Sequence, residues 1–378
     1  MAAPKLRFKE FGGDWSIKPL KNICKINQGL QIAIENRFTD DGENRYFYIT
    51  NEFLREGAKN TYFIENPPRN VICDENDILM TRTGNTGQVV TDVKGAFHNN
   101  FFKIDFDRSI INKNFFIEFL KKDTTQHLIL KYAGASTIPD LNHSDFYRIV
   151  MPITTIEEQT KIASFLSAVD EKINQLTQKL HLLGQYKQGM MQKLFSQQIR
   201  FKADDGSAFG EWEETELGKH CQIKTGKLDA NAMRPNGEFR FYTCAKEFYL
   251  IDEYAFDTEA LLISGNGANV GYIHYYKGKF NAYQRTYVLD QWQQNIIFIQ
   301  YFLEQFLKER IYGEKKEGNT PYIVLSTLSE MPLLLPCLAE QTKIANFLSA
   351  IDQKIEVVAQ QIEQAKLWKK GLLQQMFV

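Results

Sequence analysis

Two stretches of the chain carry the same long-period pattern of apolar positions. From Ile162, apolar residues return in alternating steps of four and three at Ile162, Leu166, Val169, Ile173, Leu176, Leu180 and Leu183, then at Met190 and Leu194. From Ile344 the same steps give Ile344, Leu348, Ile351, Ile355, Val358 and Ile362, then Ala365, Leu372 and Met376. The spacing predicts two amphipathic helices, each with a heptad seam. Each helix runs about 35 residues, or about 50 Å at 1.5 Å per residue. The simplest use of two such stripes in one chain is to cover each other. One seam position in each is a matched lysine, Lys187 and Lys369. A seam lysine either fixes register or lies where the pair ends and snorkels to solvent, and the second reading is favoured. Matched glycines, Gly189 and Gly371, point to a kink or a close contact with another chain. Thr155 followed by Glu158 fits a capping box, whereas the second copy has Cys337 at the capping site.

Residues 1–153 and 198–334 switch to shorter periods and read as two mixed α/β modules. In the first, Tyr46–Thr50, Asp77–Thr81, Gln88–Val93 and Phe101–Phe106 have strand character, and Phe115–Tyr132 has helical character. The second repeats the order: Ala260–Ser264, Val270–Tyr276 and Tyr287–Asp290 as strands, then a helix near Ile296–Lys308. Gly84, Asn85 and Gly87, and Gly265, Asn266 and Gly267, punctuate matching strand ends. The organisation is therefore module 1–153, helix 154–197, module 198–334 and helix 335–378.

The halves are related by duplication. Glu158–Ile173 recurs as Glu340–Ile355 with thirteen of sixteen positions identical, at an offset of 182 that continues to Gly189 and Gly371 and to Phe195 and Phe377. Weaker echoes precede each copy. Leu6-Arg7-Phe8 matches Ile199-Arg200-Phe201, Trp15 matches Trp212, and Gln28-Gly29 sits where Thr225-Gly226 sits. Solenoid repeats have periods of about 20–50 residues, so this is a doubled half-protein. Nearly identical helices beside diverged modules imply pseudo-twofold symmetry and two different surfaces.

Composition narrows the class. The chain has 378 residues, 45 Lys+Arg against 46 Asp+Glu, and 43% hydrophobic residues. That length suggests two domains. Five scattered cysteines without a C-x-x-C pair argue against a zinc cluster or a disulfide framework. No apolar run approaches the roughly 20 residues of a membrane span, and Met1–Glu10 has no apolar signal core. A cytoplasmic protein with no membrane partner is expected. A net charge of −1 speaks against a strongly basic nucleic-acid binder. A neutral total is still compatible with a basic face, or with partners that supply phosphate contacts.

No catalytic or metal motif emerges among the residue patterns. Asn66-Pro67-Pro68-Arg69 lacks the aromatic fourth residue of an amino-methyltransferase site and reads as a turn. Asp74, Glu75 and Asp77 read as a solvated loop. DNA contact instead needs donors near base edges and cations near phosphates. Loop residues that fit are Arg82, Thr83, Asn85, Lys94, Asn99 and Asn100 in the first module. Their counterparts in the second are Lys224, Lys227, Asn269, Tyr283, Gln284 and Arg285. Taken singly each is an ordinary exposed polar residue; their matched placement gives the set its weight.

The run Met151-Pro152 followed by Glu158–Ile173, duplicated at 331–355, resembles the conserved region of specificity subunits of type I restriction–modification systems. The resemblance covers the whole chain. Thr137-Ile138-Pro139-Asp140-Leu141-Asn142 is similar to the stretch that precedes the helix in that family, and Thr320-Pro321-Tyr322 departs from it. The resemblance implies an α/β (α+β) chain with two target-recognition domains joined by two long helices in an antiparallel coiled coil. Each domain would read half of a split double-stranded DNA target. The helix pair would set the spacer and dock two methyltransferase subunits, and restriction/translocase subunits would join that core. No cofactor is expected in this chain; S-adenosylmethionine, ATP and Mg belong to the partners. Two rival readings are a fused DNA adenine methyltransferase, which would need a cofactor loop, and a coiled-coil scaffold without a DNA role.

Overall fold

The computed structural model describes residues 3–55, 57, 60–134, 137–313 and 321–378; Thr320 of the departing stretch lies outside them. The first module begins with strands β1 (Ser16–Pro19), β2 (Cys24–Gln28), β3 (Arg45–Ile49), β4 (Phe63–Glu65), β5 (Ile72–Cys73) and β6 (Ile78–Thr81). It continues with β7 (Val89–Val90), β8 (Gly95–Phe97) and β9 (Phe101–Phe106). Helices α1 (Lys113–Lys121), α2 (Asp123–Ala133) and α3 (His143–Arg148) follow, then β10 (Val150–Ile153) and the long helix α4 (Ile156–Phe195). The strands form two four-stranded sheets, ordered β2-β9-β6-β7 and β4-β3-β8-β5, and a separate β1–β10 ribbon.

The second module has β11 (Glu213–Glu216), β12 (Gln222–Thr225), β13 (Phe239–Tyr242), β14 (Tyr249–Ile251), β15 (Phe256–Ser264), β16 (Ile273–Ala282) and β17 (Thr286–Asp290). After these come α5 (Ile296–Gly313), α6 (Leu325–Ser329), β18 (Pro332–Leu335) and the second long helix, α7 (Leu338–Met376). Here one six-stranded sheet runs β12-β17-β15-β16-β13-β14, beside a β11–β18 ribbon. The hairpin β15–β16 pairs without interruption from Phe256–Phe280 to Ile263–Ile273. Its counterpart in the first module is cut into β5–β8 and β6–β7 by residues 74–77 and 91–94. Asp74 and Asp77 close one of those interruptions as a turn, Asp77 N–H donating to Asp74 O at 3.0 Å.

Three sequence expectations change in detail. The helix read over Phe115–Tyr132 is two helices, because Lys122 is extended (ψ 134°) and breaks the run. Gln126 bridges that break, its side-chain amide donating to Leu120 O at 2.7 Å and Gly87 O at 2.9 Å. The strand read over Gln88–Val93 is only Val89–Val90. Both long helices are longer than read, at 40 and 39 residues. They run on through Gly189 and Gly371, around which the space is open.

The chain divides into two compact units, Met1–Thr177 with Gln360–Val378, and Gln178–Ala359. The dividing line passes through both long helices, so each unit holds one module and a part of each helix. In the first unit Ile162, Leu166 and Val169 share a core with Leu372, Met376 and Phe377. In the second, Met191, Leu194 and Phe195 share one with Ile344, Leu348 and Ile351. In each unit the start of one helix meets the end of the other, which is antiparallel pairing. Ile162, Leu166, Val169, Leu176, Ile344, Leu348, Ile351, Val358 and Ile362 are buried, and Ile173, Leu180 and Ile355 are half-buried. Each buried Leu or Ile contributes about 1.5–3 kcal/mol relative to exposure.

The residues conserved between the two copies join helix to module. Glu158, 1% exposed, receives the fork of Arg7 at 2.7 and 2.8 Å. Glu340, fully buried, receives Arg200 at 3.1 and 2.8 Å, and also the indole N–H of Trp212 at 3.1 Å. The capping box is thus half-formed. Thr155 Oγ1 accepts from Glu158 N–H at 3.4 Å, but the carboxylate is turned to Arg7. Gln159 and Gln341 accept from the backbone N–H of Asn112 and Asn295, at 2.9 and 3.0 Å. The two asparagines in turn cap α1 and α5. Phe377 stacks on Phe115 at 4.7 Å in one unit, and Phe195 packs on Phe298 at 5.6 Å in the other.

Lys187 and Lys369 do not snorkel from the end of a pair. Each crosses to the facing helix and on to its module. Lys369 Nζ lies 2.7 Å from Asp170 and 2.9 Å from Glu118. Lys187 Nζ lies 2.8 Å from Asp352 and 3.5 Å from Glu304, beneath the Tyr301 ring. Burial pulls the Lys369 ammonium down, but Asp170 and Glu118 outweigh it, so its pKa ends above the ordinary lysine value.

Candidate nucleic-acid interface

In the first module the chain leaves β2, β3, β6 and β8 at one end, and the connecting loops are bonded to one another there. Gly29 follows β2 where a Cβ would sit 2.2 Å from the His98 carbonyl oxygen, so only glycine fits this crossing. Asn99 donates to Gln31 Oε1 at 3.0 Å. Arg82 N–H donates to Asn100 O at 2.7 Å, and Asn51 Nδ2 donates to Thr83 O at 2.9 Å. Asp140 closes the group, accepting both fork nitrogens of Arg82 at 3.0 and 2.7 Å and the hydroxyl of Thr83. Arg82 holds the Asp140 carboxyl below its ordinary value; partial burial opposes this and Thr83 adds to it.

Burial first, and Arg37 second, lower the pKa of His98. The ring is therefore neutral near pH 7, with Nδ1 accepting from Asn100 N–H at 3.1 Å. Asn85 is exposed at the tip of the loop, its backbone left-handed at φ 52°.

The second module builds the same end from different side chains. Gly226 repeats the crossing, where a Cβ would sit 1.8 Å from Ala282 O. Gly265 N–H donates to Arg285 O at 2.8 Å, as Arg82 does to Asn100. Asn269 Nδ2 donates to Cys244 O at 3.0 Å, tying the same two loops that Asn51 ties, from the opposite side. Gln284 donates to Asp229 Oδ1 at 2.8 Å, matching Asn99 on Gln31. Tyr283 N–H donates to Tyr242 O as His98 N–H does to Ile49 O, both at 2.9 Å. Gly265, Gln284, Arg285, Tyr287 and Ile323 line a cavity of about 200 Å³ at this end.

Ten of the twelve residues singled out from sequence fall on these two loop ends: Arg82, Thr83, Asn85, Asn99, Asn100, Lys227, Asn269, Tyr283, Gln284 and Arg285. Two do not. Lys94 precedes β8, and the loop end follows it, so strand direction carries Lys94 to the far side. Lys224 lies within β12 and turns to Asp290 at 3.6 Å, the place that Asn27 and Asp105 occupy in the first module. Sequence reading missed Gln31, Asn51, Asp140, Asp229 and Tyr322. Gln31, Asn51 and Asp229 signal only by following a strand, and Asp140 and Tyr322 lie between helices, in the stretches noted above for the family resemblance. Their partners lie far away in sequence, as with Arg82 and Asp140, 58 positions apart.

Chemically, both ends present amides, hydroxyls and a few cations on loops that are bonded to one another. Such groups suit hydrogen bonding to base edges and phosphates. Asn66–Arg69, the other stretch weighed for chemistry, is a turn after β4 in which Asn66 has φ 48°. No helix among the described residues is long and apolar enough to cross a membrane.

Comparison with known proteins agrees with this layout. The family model for the type I restriction modification DNA specificity domain matches residues 12–183 and again 210–367. The EcoDI specificity subunit of Escherichia coli is 39% identical over 155 residues, which are 41% of this chain and 34% of that relative. The MjaVIII specificity subunit of Methanocaldococcus jannaschii is 24% identical across 97% of this chain and 94% of its own length. In fold, the crystal structure of a type I restriction–modification S subunit from M. genitalium superposes with TM-score 0.64 and 20% identity, over 100% of this chain and 99% of that one. The doubled modules, the repeated helix junctions and the two matches together place this chain in the type I restriction modification DNA specificity family, with the domain present twice.

Proposed function

We propose that this chain is the DNA-recognition subunit of a type I restriction–modification complex. Each module reads one half of a bipartite duplex target through its loop end, and the chain itself carries no catalytic group. The observation that carries the reading is the matched pair of loop ends. The backbone scaffold is the same in both, down to the glycine crossings and the 2.7 and 2.8 Å loop bonds, while the exposed side chains differ. One scaffold with two chemistries is what reading two dissimilar half-sites requires. The antiparallel helices act as the spacer, since half-site separation on DNA is set in helical turns of about 34 Å. They also offer a docking surface for two methyltransferase subunits, with restriction/translocase subunits completing the complex. S-adenosylmethionine, ATP and Mg serve those partners. A near-neutral subunit fits this role if partners help to neutralise phosphates.

Genome-wide methylation mapping of a strain with and without this chain tests the reading. A two-part methylated motif that disappears with the chain supports it. An unchanged methylation pattern overturns it.

A further inference from the structure

The two loop ends use arginine differently, and the difference bears on the bases read. Arg82 and Gly265 hold equivalent places, each donating its N–H to the carbonyl that ends the neighbouring loop, that of Asn100 or Arg285. Asp140 takes the Nε and one Nη of Arg82 and ties that side chain to its own loop. In the second module that arginine is absent. A Cβ on Gly265 would lie 2.4 Å from Arg285 O, so no side chain fits there. Tyr322, which bridges Asn266 as Asp140 bridges Thr83, brings no carboxylate and is 59% exposed.

The arginine reappears at 285. Its backbone is fixed: Gln284 N–H donates to Leu228 O at 2.9 Å and Thr286 N–H to Tyr283 O at 2.8 Å. Its side chain is exposed at the cavity lined by Gly265 and Tyr287, and no described residue pairs with the guanidinium. A guanidinium on an anchored loop, with no partner among the described residues, is available for bidentate contact through its planar fork. We propose, resting on the recognition reading above, that Arg285 reads a guanine in the half-site of the second module, donating to its N7 and O6. Arg82 is a positioning residue that clamps the loop of the first module.

The test combines methylation mapping with base analogues. The wild-type chain, assembled with its partners, is mapped beside R285A and R285K. The purified complexes then bind duplexes carrying 7-deazaguanine, which lacks the N7 acceptor, at each guanine of the motif in turn. One guanine in one half should be sensitive for the wild type, with binding about tenfold weaker, and R285A should not feel that substitution. In the mapped motif, R285A should relax that single position by about ten- to a hundredfold in discrimination and leave the other half intact. A motif without guanine, or wild type and R285A equally sensitive at every guanine, overturns the proposal. So does an unchanged motif methylated less overall, which would make Arg285 a phosphate contact. If the wild type yields no two-part motif, the recognition reading itself has failed.

Discussion

The partner of each arginine decides what that arginine can do. Arg7 and Arg200 are bound to buried glutamates and tie each module to its helix. Arg82 is bound to a half-exposed aspartate and holds a loop; Arg285 is unengaged. R82A and D140A should each lower stability by about 1 kcal/mol, as expected for a partly exposed bidentate pair. The double variant should cost about the same as D140A alone, because that change already removes the Arg82 pair along with the Thr83 bond. Thermal melts of the four proteins check this, and additive losses would contradict it. The pair also sets a pH dependence. The Asp140 pKa is depressed in the folded chain. Its stabilisation is therefore complete above the unfolded carboxyl value and is lost as pH falls through the lower folded value. Hydrogen exchange of residues 82–87 should accelerate below about pH 4 in the wild type, and D140N should show no such step. Which residues stand near loops is legible in the sequence, because alternation stops at strand ends. Which arginine is engaged is not, because its partner is 58 residues away.

At the scale of elements, the long helices were the most legible part. Their period of 3.5 repeats over many turns, and every seam position from Ile162 to Leu194 and from Ile344 to Met376 is buried or half-buried. The short strands were the least legible. β5 and β7 are two residues each, too short to show alternation. β1 and β11 are mostly exposed on both faces, so they lack an apolar stripe. The seam lysines were legible as a pair but not in role, since Glu118 and Glu304 come from the modules. K369M should destabilise the chain by about 2–3 kcal/mol. This lies below the 3–5 expected for a fully buried pair because Asp170 is partly exposed. E118Q should recover part of that loss when combined with K369M, and melting curves would show it; no recovery would mean that Lys369 acts through packing alone. Inserting one helical turn after Lys179 should change the spacer of the methylated motif and leave its two halves unaltered. An unchanged spacer would remove the helices from that role.

For the whole molecule, the duplication is what makes one chain bipartite. Each compact unit has its own module, its own core and a stretch of each long helix. Its loop end is tied by residues of that unit, Arg82 by Asp140 and Gln284 by Asp229. Among the described residues, the bonds that build each loop end come from its own module, so the two should read independently. The most direct test exchanges residues 1–150 for the corresponding module of another family member and maps methylation genome-wide. The account predicts that one half of the motif changes while the other half keeps its bases. A motif altered in both halves would contradict it.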